Sequence, residues 1–521
     1  MEVELPNLGR KSSTPPTRAS EDSSGRDELQ SVAVNFRLTL SSSMTAIRGS
    51  LGGQPQGGEE GSQTIFLTAV GSQREKEGAK KMNSLNSTRS IETDWNYEGI
   101  LGKRHQFMSP SLRTFVAFQK PVVLKKGEMQ YVWDEKGKKY LDCLAQNLSI
   151  SVGHCHPLVN SAVKHQVDEL VHCTTMYYHP VPAHLAEELV AKMPGNEDWV
   201  VHFVNSGSEA ADLALLMARL YTGNFEMIAL RNSFHGLHFA SMSLTGISAC
   251  RHAVPPSPGI LHVHNPDPYR GVHGATVLPY VKEIEALINA STSGHIAGFM
   301  AEPIQGYGGV IPLPAGYLQG AFECVRAAGG LCIIDEVQTG FGRTGSHFWR
   351  FEAHGVTPDV VVMGKGIGNG YPLAAVVARR EVAEAMAKKK FFNTYGSNPV
   401  ACAAGRAVLR SIEDDGLQQN AAKMGCLLME QLDRVKASHD VIGDVRGCGL
   451  MVGVELVKDR LTKEPAPDQA AQVAEMAKEN GLIVGRGGTL GNVLRINPPL
   501  CIQEHDIQFI SDVLGESCRR L

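Results

Sequence analysis

Short, unbroken apolar runs alternate with stretches of helical spacing over most of this chain. Runs at 200–204, 227–230, 296–300, 331–334 and 360–363 are too short for helices, and most are rich in β-branched residues, so they predict buried strands. Helical spacing marks 158–171 and 209–220. Strands at 131–134 and 139–142 flank a turn at Glu135-Lys136-Gly137-Lys138, predicting a hairpin. This alternation predicts an α/β fold with a mostly parallel sheet and helices on both faces.

Residues 1–105 break the pattern. Pro15-Pro16, Ser41-Ser42-Ser43, Gly52-Gly53 and Gly57-Gly58 interrupt any period, and apolar residues are sparse. Such a segment cannot offset its ordering entropy, so a disordered or targeting extension is expected. The first fifty residues carry six acids and six bases, whereas transit peptides are poor in acids. The stretch 36–51 is more transit-like, with Arg37, Arg48, several hydroxyls and no acid. A mitochondrial matrix location is the expectation and a cytoplasmic one the alternative.

Composition narrows the classes. The 521 residues are 43% hydrophobic, with formal net charge −4. That supplies a large core and no general electrostatic reason to bind nucleic acid. No apolar run approaches the roughly eighteen residues of a membrane helix. Eleven cysteines without a CxxC pair read as reduced thiols.

The chemistry centres on two residues. Asp335 follows the run at 331–334, and Lys365 follows the run at 360–363 and Gly364. A charge at the end of a buried strand is a favoured place for a site in an α/β fold. One acid and one amine so placed suit pyridoxal phosphate, the amine condensing with the aldehyde and the acid holding the pyridine nitrogen protonated. A solvated loop lysine is the ordinary alternative, but apolar, glycine-rich surroundings argue against it. Asn205-Ser206-Gly207-Ser208-Glu209 lies between a strand and a helix, where backbone N–H groups and a hydroxyl could reach a phosphate. Its plain reading is a helix cap made by Ser208. Gly153-His154-Cys155-His156-Pro157 has metal-like residue types, but adjacent residues cannot easily face one ion, so no metal is expected.

Asp335-Glu336-Val337-Gln338-Thr339-Gly340-Phe341-Gly342-Arg343-Thr344-Gly345 resembles the central motif of the class III aminotransferases. Gly364-Lys365-Gly366-Ile367-Gly368-Asn369-Gly370 resembles that family's lysine loop, and the likeness runs from about 114 to 510, nearest the alanine–glyoxylate type. The resemblance implies the aspartate-aminotransferase-type fold (PLP fold type I). It implies a large domain at 165–405 and a small α+β domain from 106–164 and 406–521. It also implies roles. Gly207 and Ser208 would hold the phosphate, and Phe234, with His235 beside it, would stack on the ring. Val337 would press the other ring face and Gln338 reach the phenolic oxygen. Thr394 would donate to the phosphate of a partner subunit, making the active unit at least a homodimer, although its segment could be a plain turn. Arg495 would clamp the substrate carboxylate through two parallel hydrogen bonds, a structural ion pair being the alternative.

One departure from the pattern informs on substrate. Relatives specific for ω-amino groups often carry a glutamate where Tyr307 stands, masking the arginine. Without it Arg495 is free for an α-carboxylate. The implied reaction is ping-pong transfer of an amino group from alanine to glyoxylate, with small amino and keto acids as partners. Alternatives are another class III activity on ω- or β-amino acids and, less favoured, a regulatory protein on this fold.

Overall fold

The computed structural model describes residues 93–113 and 118–521. Up to residue 92, the expected extension lies outside the described residues. Its last part is helical: α1 (Tyr97–Phe107) is capped by Asn96, whose side chain accepts from the Gly99 N–H.

Strands β1 (Leu124–Glu128), β2 (Tyr131–Asp134) and β3 (Lys139–Asp142) form an antiparallel ribbon, with the predicted hairpin at β2–β3. Helix α2 (Pro157–Glu169) follows. A seven-stranded sheet is then built from β4 (Trp199–Val204), β5 (Met227–Leu230), β6 (Ile260–Val263), β7 (Gly298–Ala301), β8 (Leu331–Asp335), β9 (Val360–Met363) and β10 (Ala374–Arg379). Its order is β4-β10-β9-β8-β7-β5-β6, parallel except for β10, which runs antiparallel to both neighbours. The run predicted at 296–300 starts its ladder only at Gly298, paired with Leu331.

Both faces of this sheet are buried, which is why its strands read as continuous apolar runs. Alternate residues enter different cores. Cys332, Ile334 and Val361 face one core together with helices α4 (Val277–Ser291), α5 (Tyr317–Ala327) and α6 (Pro399–Asp414). Leu331, Ile333 and Val360 face the other, against α3 (Gly207–Thr222), which buries Ala210, Ala214, Met217 and Ala218.

Three later strands, β11 (Ile442–Cys448), β12 (Met451–Asp459) and β15 (Val493–Ile496), make an antiparallel sheet with β14 (Gly485–Gly487) at its edge. Strand β13 (Leu482–Ile483) pairs in parallel with β3, so the two ends of the described chain share a sheet.

Candidate active site

Asp335 is the last residue of β8, and its neighbour β9 leads into Lys365 through Gly364. Parallel strands end on the same side, so the acid and the amine stand next to each other at the carboxyl ends of two central strands. Lys365 has a left-handed backbone, φ 45°, which costs an L-residue about 1–2 kcal/mol. The loop is braced from outside: Ser151 Oγ donates to the Gly366 carbonyl at 2.7 Å, and Asn369 bonds the Val152 N–H and the Gly153 carbonyl. Among the described residues Lys365 Nζ makes no hydrogen bond or ion pair. Burial lowers its pKa to about 8, against the opposing pull of Asp335.

Asp335 is held in turn. His235 Nδ1 lies 2.8 Å from its Oδ2, and the Val337 N–H donates to Oδ1 at 3.0 Å. His235 is 2% exposed, and its Nε2 is buried without a partner. This histidine, expected as a cofactor contact, also bonds the aspartate. Glu302 is near enough to feel the charge of both. Its carboxyl accepts from the Phe234 N–H at 2.8 Å, the Gly306 N–H at 3.0 Å and Gln338 Nε2 at 3.3 Å. Burial pushes it up to about 7. This role had a signal in Glu302-Pro303-Ile304-Gln305-Gly306, but the partners are distant in sequence.

The phosphate-cup residues sit where β4 ends. Helix α3 begins at Gly207, and its cap is Ser206, which accepts from the Glu209 N–H at 3.3 Å, so the plain reading of Ser208 as the cap is corrected. Ser208 lies inside the first turn and accepts from the Leu237 N–H at 3.2 Å. Gly236 passes so close, at φ 125°, that a Cβ there would fall 2.4 Å from Ser208 Oγ. Val337 lies against Gly207, and Gly364 touches its backbone. Asn393 bonds both Asn205 and Glu209, pinning the Thr394 segment to the start of α3 while Thr394 stays exposed.

A cavity of about 480 Å³ opens over Lys365, lined also by Phe234, Tyr307, Gln338 and Arg495. The Phe234 and Tyr307 rings lie 5.4 Å apart. Arg495, on β15, is 2% exposed and donates to Gln338 Oε1 at 2.9 Å and Asn147 Oδ1 at 3.3 Å. Its Nε has no partner, and among the described residues it pairs with no carboxylate. Burial lowers it only to about 10, so it is cationic at neutral pH. Asn147 belongs to a left-handed turn, Ala145 to Leu148 all with positive φ, whose N–H groups at Ala145 and Gln146 bond the Asp142 carboxylate. His154 and His156 face different acids, Asp142 at 2.9 Å and Asp415 at 3.0 Å; among the described residues no three metal-ligating side chains converge.

Residues 116–516 match the family described as aminotransferase class-III. The chain belongs to that family. It is 47% identical over 422 residues to alanine–glyoxylate aminotransferase 2 homolog 2, mitochondrial, of Arabidopsis thaliana, covering 81% of this chain and 87% of that one. It is 40% identical over 441 residues to alanine–glyoxylate aminotransferase 2, mitochondrial, of Homo sapiens, covering 80% and 85%. An aminotransferase of Bacillus anthracis superposes with a TM-score of 0.76 at 34% identity, over 81% of this chain and 98% of that one. As a class III aminotransferase this chain is an enzyme, a pyridoxal-phosphate-dependent transaminase of the fold-type-I architecture. The cofactor suits the residues present: an amine without a partner, a buried acid held by a histidine, and first-turn N–H groups kept close to a glycine.

Proposed function

We propose that this transaminase moves the amino group of alanine to glyoxylate, giving pyruvate and glycine. The observation that carries the reading is Arg495, a buried guanidinium lining Lys365's cavity that, among the described residues, forms no ion pair. An α-carboxylate supplies the missing charge and matches the two-pronged geometry. Tyr307 stands beside it, the Arg495 Cζ lying 5.7 Å from the ring, and carries no charge to compete.

When bound, pyridoxal phosphate supplies an aldehyde for the amino group and a ring that draws electron density from the substrate's α-carbon. Lys365 would hold it covalently, Asp335 would face its ring nitrogen, and Phe234 and Val337 would take its two faces. Gly207 and Ser208 would cradle the phosphate, and Gln338 the phenolic oxygen. Lys365, its pKa lowered by burial to about 8, takes the proton from the α-carbon of alanine and, in the second half of the cycle, delivers a proton to the carbon that becomes the α-carbon of glycine. His235 fixes Asp335, and Arg495 orients the α-carbon toward the lysine amine.

Thr394, exposed on its own chain, would serve the phosphate of a partner subunit in a homodimer. The large domain is 165–405 and the small one comes from both flanks, a division supported by the pairing of β3 with β13. The word mitochondrial in the names of the plant and human relatives supports a matrix location.

Donor and acceptor profiling of the purified holoenzyme tests this. Alanine with glyoxylate should give the highest kcat/KM. A clear preference for γ-aminobutyrate or ornithine as donor would overturn it.

A further inference from the structure

The cavity above Lys365 holds three cationic side chains, Lys365, Arg486 and Arg495, and no acid lines it. The reading above uses two of them. Lys365 serves the cofactor and Arg495 the α-carboxylate. Arg486 remains.

Arg486 sits in the middle of β14, the edge strand paired with β15, which carries Arg495. The flanking glycines make room at this point: a Cβ at Gly487 would fall 2.6 Å from Arg495 Cδ. Among the described residues the Arg486 side chain forms no hydrogen bond and no ion pair, and its Nε is buried without a partner. Both arginines act on Tyr307. Burial raises that phenol's pKa and Cys250 adds to the effect, while Arg495 and then Arg486 pull it down, and all three side chains line the one cavity. The phosphate cup is elsewhere, at the start of α3, and neither Gly207 nor Ser208 lines this cavity. A partly desolvated guanidinium with an orphaned donor is costly unless an anion meets it. A monocarboxylate amino acid satisfies Arg495 and leaves Arg486 bare.

We infer that Arg486 is an anion subsite at the distal end of the substrate cavity, taking the second negative group of a substrate or keto acid whose α-carboxylate lies on Arg495. The ligand class is a short dianion bearing a carboxylate at one end and a second carboxylate or a phosphate ester at the other, either of which suits a planar guanidinium. This deepens the proposed function and rests on Arg495 as the α-carboxylate clamp.

The test is equilibrium titration of the holoenzyme, followed by perturbation of the cofactor absorbance and needing no turnover. Glutarate is compared with butyrate, and 3-phosphonooxypropionate with 3-hydroxypropionate; the members of each pair differ in one anionic group. In the parent, glutarate should bind about tenfold or more tighter than butyrate, the scale of one charge-assisted hydrogen bond. The ratio should fall toward one in Arg486→Met and be partly kept in Arg486→Lys. An advantage confined to the phosphate pair, with the same dependence on Arg486, supports the subsite and assigns its ligand as a phosphate ester. Absence of any advantage in both pairs, or one that survives unchanged in Arg486→Met, overturns the inference. Arg495→Met separates the two readings: it should weaken butyrate and glutarate alike, and unaltered butyrate binding would remove the clamp rather than the subsite.

Discussion

Arg495 Nη2 donates to Gln338 Oε1 across 2.9 Å, joining the arginine on the small antiparallel sheet to a residue just beyond β8 of the central one. Gln338 is held from its other end by Glu302. The guanidinium is therefore aimed before any substrate arrives, and a carboxylate reaching Arg495 meets a fixed target rather than a mobile side chain. The following expectations are built on this arrangement.

Arg495→Lys keeps the charge and loses the fork. KM for alanine should rise and kcat/KM fall roughly ten- to a hundredfold, about one or two hydrogen bonds to a charged group. The cofactor spectrum should stay as in the parent. Tyr307→Glu should also impair alanine use, by giving Arg495 an internal partner. In the double variant the penalties should be less than additive, because both act through one guanidinium. Steady-state kinetics on all three variants check this, and parent-like use of alanine and glyoxylate in both single variants would move the carboxylate site elsewhere.

Lys365→Ala should lose the absorbance band of lysine-bound cofactor and nearly all transamination, by about a thousandfold or more, because the group that holds the cofactor and moves the proton is gone. Absorbance spectra and single-turnover assays measure both. Turnover near the parent's would exclude Lys365 from the chemistry.

The same lysine has a stability signature in the cofactor-free protein. Its pKa falls from 10.5 to about 8 on folding. Below pH 8 the amine is protonated in both folded and unfolded states, and the folded state bears the full cost of burial. Between 8 and 10.5 the folded state gives up the proton while the unfolded chain keeps it, so stability rises with pH; above that range the cost is gone. Lys365→Met should thus stabilise the apoprotein at pH 7 by roughly 3 kcal/mol or less, and this advantage should fade toward pH 10.5. Denaturant unfolding across that range reads it, and a pH-independent difference would contradict the burial of the amine.

Asp335→Asn should lower the rate of the amino-donor half-reaction about a hundredfold or more, a few kcal/mol of transition-state stabilisation. His235→Gln should cost less, about tenfold, since it removes only the contact that aims the carboxyl group. Stopped-flow absorbance separates the two. Equal losses would mean that His235 acts directly on the cofactor.

Much of this was legible because both faces of the central sheet are buried. Strands such as 331–334 and 360–363 then appear as continuous apolar runs, and Asp335 and Lys365 come just past their ends. The cap of α3 was misread by two positions: Ser206 and Ser208 are both chemically able to cap, and only the backbone turn decides between them. The contact of His235 with Asp335 spans a hundred positions and leaves no periodic trace. Nor did Gly485-Arg486-Gly487-Gly488 announce a cavity wall, because its short strand takes its place only by pairing with β15.

The reversed strand β10 works as a gauge. By lying between β4 and β9 it sets the phosphate cup and the lysine one strand apart, and β8 adds the acid on the far side. Strands spaced about 4.8 Å put the ends of β4 and β8, the two ends of this row, roughly 14 Å apart, and the loops beyond them close that distance, Val337 lying against Gly207. Exchanging side chains along that row alters what is gripped but leaves the spacing of the grips unchanged. New substrates are therefore open to this scaffold through Tyr307, Arg486 and the loops above the row, while the strand order that aligns Lys365 with Asp335 stays in place.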